Sequence, residues 1–336
     1  MKTYRLVGDV CLAGIVAIGI VNLLYGFAGT MSRLGEYRFV SASLSGKDPM
    51  AGEHGNRFAD TALGRCPLPV PSDFVTGIDL QWRDFECLGK IRHSYLCGEW
   101  SESGWWYYYL VALLVKLPSG LLLVLLVSFG ASMWNRIRGS QSDERWWFYP
   151  AAVIVIGVSA QRGFNHHGRY VLPAVGFLIV GAAKGLMTCR PTVGIAGAGL
   201  MCWAAISGAA IHPHQLAFFN ELAGGPSDGH RWLLDSNLDL GQDWYLLRDW
   251  IVSCPDRSPV RFAGWHLLSP ATAGIRSQPF PSNRSSGWYV ISVNLVQGMR
   301  TAEYEPDSVA YIREYRPVGR IGYTLWVYRL EDPRTD

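Results

Sequence analysis

Apolar residues gather in five blocks along the 336 residues, separated by stretches of ordinary polarity. Residues 10–32 contain no Asp, Glu, Lys or Arg and consist mainly of Val, Ile, Leu, Gly and Ala. Residues 105–134 are similar, interrupted only by Lys116 and Pro118. The blocks at 146–161, 170–183 and 191–211 are also free of charge. A hydrocarbon core about 30 Å thick needs about 20 apolar residues as a helix, and Lys184 can carry its charge out on its long stem, extending the fourth block to 186. The pattern predicts about five transmembrane helices. The third, near 147–161, is the shortest, and its alternative is a buried or re-entrant piece.

Lys2 and Arg5 stand before the first block, as in a secretory signal peptide. That block exceeds the usual apolar core of about 7–15 residues, and Leu23–Leu24–Tyr25–Gly26–Phe27 is a poor small-residue cleavage site. An uncleaved helix is expected. Basic residues in short loops favour the cytoplasmic side. Lys2 and Arg5, then Arg136, Arg138 and Arg145, then Lys184 and Arg190 fall on one side of a five-span chain. The 33–104 loop, the 162–169 loop and everything after His212 then lie outside. Tyr107, Tyr108, Tyr109, Trp134, Trp146 and Trp147 stand where interfacial aromatic belts belong.

The 33–104 loop is too long for a connector and predicts a role or a small fold of its own. It holds Cys66, Cys87 and Cys97; Cys87 and Cys97 enclose a short loop and could pair, leaving one thiol over. The remaining stretch, 213–336, reads as a small α/β domain. Trp244, Leu247, Trp250 and Ile251 recur at helical spacing, and 260–263, 288–296 and 323–330 have the β-branched and aromatic content of strands. The expected organisation is a membrane region at 1–212, including the long loop, and an extracytoplasmic α/β domain at 213–336. Composition agrees: 17% of residues are charged, where a soluble domain carries about a quarter. The net charge of +3 comes without a basic run, so a nucleic-acid partner is not expected. Asn283–Arg284–Ser285 fits the glycosylation pattern, a triplet that also arises by chance.

Three constellations could carry chemistry. In 235–243, Asp235, Asn237 and Asp239 alternate like the opening of a calcium loop, followed by Asp243. The pattern then fails, with Leu240 at the glycine position and Leu246 where a calcium loop has Glu. Asp239 as the cap of a following helix is the expected reading, and a divalent metal the lesser one. The pairs His166–His167 and His212–Pro213–His214 lack a carboxylate or thiol at fixed ligand spacing, so packing is expected rather than metal binding. Asn165, His166 and Arg169 stand together at the mouth of a predicted helix. Arg offers paired donors suited to a phosphate, and Lys116 is a second cation within an apolar block. Snorkelling toward the headgroups is the alternative for both cations. Asp79, Asp84, Glu86, Glu99 and Glu102 are carboxylates of the outer loop from which a general base could be drawn.

Residues 98–109, from Gly98–Glu99–Trp100 to Tyr107–Tyr108–Tyr109, with 111–118 after them, resemble the outer loop and next helix of polyprenyl-phosphate-dependent membrane glycosyltransferases. These are the protein O-mannosyltransferase-like, family 39 enzymes of the GT-C fold. Gly168–Arg169–Tyr170–Val171–Leu172–Pro173 resembles the family's Arg-Tyr-x-x-Pro motif at a helix start. His212 to Pro226 and Asp235 to Asp243 resemble the junction and outer domain of a bacterial branch, where Trp is more usual at the position of Leu240. The likeness is to the C-terminal half of such enzymes. It implies hexosyl transfer from a polyprenyl-phosphate-sugar to an acceptor on the outer face of a bacterial plasma membrane, with Lys116, Asn165, His166 and Arg169 lining the lipid-sugar cavity. The family's acidic pair, on its first outer loop, has no counterpart here. The resemblance therefore implies a separately encoded N-terminal half as partner and leaves Glu99 and Glu102 as the candidate bases. Its rival is a non-catalytic membrane protein that binds lipid or a partner.

Overall fold

A computed structural model describes residues 2–91, 93–139, 144–160, 165, 167–264, 269–281, 285–301, 304–305 and 308–331. Contacts divide the chain into two units, 1–93 and 94–336. His166 and the glycosylation residues Asn283 and Arg284 lie outside the described residues.

The first unit consists of α1 (Lys2–Leu24), α2 (Ala42–Ser45) and α3 (Ser72–Ile91) with the chain between them. The helix predicted over 10–32 ends at Leu24, eight residues early. Gly26, Phe27, Gly29 and Met31 all take positive φ, and Asn22 turns inward to donate to the Pro69 carbonyl at 2.9 Å. Two acids of α3 hold the connecting chain. Asp79 accepts from the amides of Val40 (2.7 Å) and Ser41 (3.0 Å), and Glu86 accepts from those of Ala42 (2.5 Å) and Ser43 (3.0 Å). They satisfy the free N–H groups at the start of α2. The predicted small fold of the long loop is thus anchored by residues that read as candidate bases.

The second unit begins with a hairpin of β1 (Ser94–Leu96) and β2 (Glu99–Ser101), then α4 (Tyr108–Lys116), α5 (Ser119–Ile137), α6 (Phe148–Ser159), α7 (Leu172–Met187) and α8 (Pro191–Ala210). Among the described residues, four segments are long and apolar enough to cross a membrane: Val7–Leu24, Ser119–Ile137, Gly168–Met187 and Pro191–Ala210. The predicted third span is a shorter apolar helix, Phe148–Ser159. Its Phe148 ring packs on Gly181 and Phe129, and its far end meets α4, so it runs antiparallel to α5 and α7.

The predicted 105–134 span is two helices. Pro118 has no N–H, and Leu117 before it is extended at φ −77° and ψ 139°, as a residue preceding proline prefers. Tyr108 and Tyr109, expected in an aromatic belt, are instead buried in the core, because α4 packs among Leu96, Val171, Ala217 and Leu238. Trp134 and Trp146 are exposed.

Helices α5 to α8 pack through small residues. Ser128 donates to the Ala182 carbonyl at 2.8 Å, and a Cβ added at Gly185 would stand 2.7 Å from that of Ser128. A Cβ at Gly120 would lie 2.2 Å from the Leu200 carbonyl oxygen. Backbones this close are typical where lipid removes the hydrophobic drive for helix association. Outward positions are large and apolar, including Leu126, Ile156, Ile195 and Ile206. Arg136 and Arg138 at the end of α5, Lys184 in the last turn of α7 and Arg190 before α8 share one end of the bundle, where Asn135 donates to Thr188 at 3.2 Å.

After α8 the chain forms α9 (Trp244–Ser253) and a sheet of β3 (Val260–Ala263), β4 (Gln278–Pro279), β5 (Gly287–Ser292), β6 (Gly319–Ile321) and β7 (Leu325–Leu330), in the order β4-β3-β5-β7-β6. Strand β5 pairs parallel with β3 and antiparallel with β7. Both faces are covered, Trp244 and Leu247 of α9 on one and Leu295, Val309 and Ile312 on the other. A doubly covered strand reads as a continuous apolar run, as Tyr289–Val290–Ile291 does. The strand expected over 288–296 stops at Ser292, whose hydroxyl accepts from the Asn294 amide and opens the short α10 (Val293–Val296).

The helix packing makes a direct prediction. Gly185→Val should destabilise the protein by about 1–3 kcal/mol, the usual effect of overpacking, because Ser128 meets it with backbone as well as side chain. Gly130→Ala on α5, with open space around it, should stay within about 1 kcal/mol of the parent. Thermal unfolding in detergent measures both, and equal behaviour would overturn the close α5–α7 contact.

Candidate functional site

The break after α4 leaves the last carbonyls of that helix without intrahelical donors. Asn220, fully buried, answers this. Its Nδ2 donates to the carbonyls of Leu114 (2.6 Å) and Leu117 (2.8 Å), and its own amide donates to that of Val115 at 2.9 Å. Next to it, Glu221 accepts from Ser119 at the start of α5 (2.5 Å) and Ser207 near the end of α8 (2.8 Å). The Ser119 hydroxyl is the main cause that holds the Glu221 carboxyl below its usual range. Neither residue stood out in the sequence, although both lie within the 212–226 motif.

Lys116, the last residue of α4, points back into the same junction. Its ammonium donates to the Leu216 carbonyl at 2.9 Å and to the Asn237 carbonyl, and sits 4.0 Å from the centre of the Phe219 ring. Those two carbonyls take two of its three donors. It is held by protein rather than reaching for headgroups.

Asn237 is the hub of the 235–243 motif. Its Oδ1 accepts from the Gly168 amide at 2.7 Å, and its Nδ2 donates to the Tyr108 hydroxyl (3.1 Å) and the Leu234 carbonyl (2.9 Å). The turn before it is held by Asp235 at φ 61°, whose amide donates to Asn294 at 3.0 Å and whose carboxylate accepts from the Ser236 amide. His167 hydrogen-bonds Ser236. The cap expected of Asp239 is not made. Helix α9 starts at Trp244, and Asp239 instead accepts from the Gly241 amide (2.8 Å) and the Ser292 hydroxyl (2.5 Å), tying the turn to β5. Burial pushes its pKa up to about 6 against the pull of those donors. Asp243, fully buried, accepts from the amides of Tyr323 and Thr324 and from the Thr324 hydroxyl at 2.8–3.1 Å. Its other oxygen lies 2.8 Å from Nδ1 of His214. Gly322 leaves the room for it, since a Cβ there would fall 2.2 Å from the carboxylate.

These elements enclose a cavity of about 440 Å³ at the end of the bundle opposite Arg136, Lys184 and Arg190. Ala112, Leu113 and Lys116 of α4, Gly168, Arg169 and Val171 just before α7, Leu172 and Val175 in its first turn, Gly208 and Ile211 at the end of α8, and Ser236, Asn237 and Leu240 form its wall. Most of that wall is apolar. Lys116 and Arg169 are the cations on it, and no carboxylate is among the described lining residues. Arg169 is exposed, stacks at 5.7 Å on Tyr170 and has no carboxylate partner among the described residues.

Not every predicted site residue reaches the cavity. Asn165 is buried beside it, accepting from the Trp105 amide at 2.8 Å while its own amide donates to Ser94. Its packing requires a glycine at 104, where a Cβ would fall 1.9 Å from its Oδ1. Glu99 is exposed on β2 and Glu102 is exposed after it; neither lines the cavity. Asp235, Asp239 and Asp243 build the turn behind Asn237 rather than the wall. Among the described residues, no group of three or more His, Cys, Asp or Glu side chains is arranged to hold a metal ion. All seven cysteines are free thiols, so the candidate Cys87–Cys97 pair is not formed.

No family model, curated protein or solved structure matches this chain. The functional argument therefore stands on the cavity. An apolar wall with cations and, among its described residues, no acid suits an amphiphile with an anionic head, since a cation beside apolar surface gains most from an opposite charge.

The buried Asp239 yields a pH dependence. Its folded pKa of about 6 lies above its unfolded value near 3.8, so the folded state binds the proton more tightly. That contribution is complete below about pH 4 and is lost as pH rises through about 6. Asp239→Asn should leave the melting temperature nearly unchanged at pH 4 and raise it relative to the parent at pH 7.5. A constant offset at both pH values would refute the assignment.

Proposed function

We propose that this chain is a multi-pass membrane protein that binds a polyprenyl-phosphate-linked sugar, with the apolar wall of the cavity on the prenyl chain and Arg169 and Lys116 on the phosphate. The observation that supports this reading best is the pairing of an apolar cavity with two cations and, among the described lining residues, no carboxylate. Arg169 is exposed on the wall and can bring a paired set of donors to a phosphate, while Lys116 is anchored and supplies a positioned amine. The resemblance of the 168–173, 212–226 and 235–243 motifs to polyprenyl-phosphate-dependent glycosyltransferases favours the same ligand class.

In sugar transfer these cations would stabilise the departing phosphate, the electrostatic half of the reaction. The other half, removing a proton from the acceptor hydroxyl, needs a positioned base, typically worth about 10²–10⁴-fold. With cations and no acid among its described lining residues, the chain is read as the donor-binding part of a transfer unit, and lipid binding without transfer is the second reading. The four apolar helices among the described residues and the basic residues at one end of the bundle favour membrane insertion with the cavity and the α9–β7 domain on the outer side, and the resemblance implies a bacterial plasma membrane.

Removing the guanidinium tests the ligand. Arg169→Ala should weaken polyprenyl-phosphate binding in nanodiscs about 10-fold or more, the range of a charge-assisted hydrogen bond, and Arg169→Lys should recover only part of it. Arg190→Ala, at the opposite end, should bind like the parent. Equal affinity in all four proteins would remove the phosphate from this cavity.

Orientation is tested separately. In intact cells, a membrane-impermeant thiol reagent should reach cysteines placed at Ser72 and Ser285 but not at Ser140. Labelling of Ser140 with protection of Ser285 would invert the topology.

A further inference from the structure

Helix α3 divides its surface among three environments. Asp79, Glu86 and Cys87 face the loop that they hold, with Asp79 and Cys87 buried. Asp73, Gly77 and Asp84 occupy a mainly polar flank, on which Leu80 is also exposed. Phe74, Ile78 and Trp82 fall at i, i+4 and i+8, which places them along one stripe of a helix with 3.6 residues per turn. Ile78 is 49% exposed and Trp82 48%, although Trp82 also donates its indole N–H to Ser43 at 3.1 Å. A second large apolar surface lies on the same unit. Helix α1 is apolar around its whole circumference between Val10 and Val21, with Ile15 68% exposed and Ile20 53%.

The two surfaces meet. The Ser72 amide, first in α3, donates to the Ala28 carbonyl at 3.0 Å, and a Cβ at Gly29 would fall on the Ser72 side chain. Phe74 stands edge-on to Tyr25, one residue past the end of α1, with ring centres 6.2 Å apart. Asn22 reaches from α1 to the Pro69 carbonyl just before α3. The stripe therefore starts where the apolar surface of α1 stops, and from Phe74 to Trp82 it runs on for about 12 Å. Arg83 and Asp84 pair with each other at 3.0 Å, leaving the stripe without charge of its own.

We propose that α3 is an interfacial helix that lays Phe74, Ile78 and Trp82 into the headgroup–acyl boundary of the same bilayer that α1 crosses. The occupant is lipid because the stripe continues the face of a spanning helix, and because an aromatic and aliphatic edge beside a polar flank is the pattern of helices that lie in this boundary. The absence of cations on the stripe makes the attachment apolar, so it should not depend on anionic lipid. The proposal rests on α1 crossing the membrane and not on the identity of the cavity's ligand.

Spin labels on the full chain in phosphatidylcholine nanodiscs, with native cysteines replaced by alanine, test it. Labels at Ile78→Cys and Gly77→Cys compare the stripe with the flank, where Gly77 has open space around it, and one at Ile15→Cys reports on α1. The ratio of oxygen to nickel-chelate accessibility should be several-fold higher at 78 than at 77, and highest at 15. Added phosphatidylglycerol should leave the value at 78 unchanged. Equal nickel access at 77 and 78, with 15 lipid-exposed, would overturn the proposal and leave the membrane reading of α1 standing. Protection of 78 from both reagents would also overturn it, because protein would then cover the stripe. A photo-crosslinking residue in the native-cysteine chain guards against misfolding of the cysteine-free protein. It should give lipid adducts from position 78 and not from 77, and adducts from neither or from both would count against the proposal.

Discussion

A helix that stops inside an apolar stretch must find partners for its last carbonyls, and apolar surroundings supply none. The proline at 118 imposes that stop on this chain, and most of the second unit follows from how the freed groups are met. Asn220 takes two carbonyls of α4 with one amide group, and the backbone of the same residue takes a third. For these bonds to form, the chain leaving α8 must return beneath α4, which places Phe219 against Lys116 and Glu221 between α5 and α8. The cavity is the space left when α4 is turned away from α5 and the returning chain closes one side.

That constraint links the helices to the sheet domain. Lys116 bridges the carbonyls of Leu216 and Asn237, one on the returning segment and one in the 235–243 turn. Asn237 reaches the start of α7 through Gly168, Asp239 reaches β5 through Ser292, and Asp243 reaches the start of β7 through Thr324 while contacting His214. Removing any one partner would strand a buried polar group, which costs more than the bond itself contributes. The three acids and the asparagine of this motif are therefore explained as a fastening, and a metal is not required to account for their density.

The sequence disclosed those parts whose pattern is local. Apolar length and composition located the helices now seen as α5, α7 and α8, and β-branched content located Val260–Ala263 residue for residue. The split of the second block was signalled by Pro118 but hidden by the apolar residues on both sides. Tyr108 and Tyr109 looked like belt residues because a triple tyrosine beside tryptophans has that composition; only the contact with Leu238 and Asn237 reveals them as core. Asn220 and the acids Asp79 and Glu86 could not be assigned from spacing, since their partners lie about 40 to 100 residues away in the chain. Of the cavity, Arg169 and Lys116 were legible as unusual cations in apolar surroundings, whereas their common wall depends on the break between α4 and α5.

The two cations differ in a way that bears on any anion bound between them. Lys116 is fixed by two carbonyls and an aromatic ring, so its charge is positioned before a ligand arrives and little ordering remains to be done. Carbonyl oxygens carry partial rather than full negative charge, so the ammonium keeps its attraction for an anion, which a carboxylate partner would have neutralised. Arg169 is exposed and stacked only on its neighbour, free to close on a ligand and to open for its departure. A fixed charge gives affinity at small entropic loss, and a movable fork gives geometric selection among anions. A single cation of either kind would supply one of these properties. On the proposed reading, the broken helix supplies the fixed donor, and the turn just before α7 supplies the movable one.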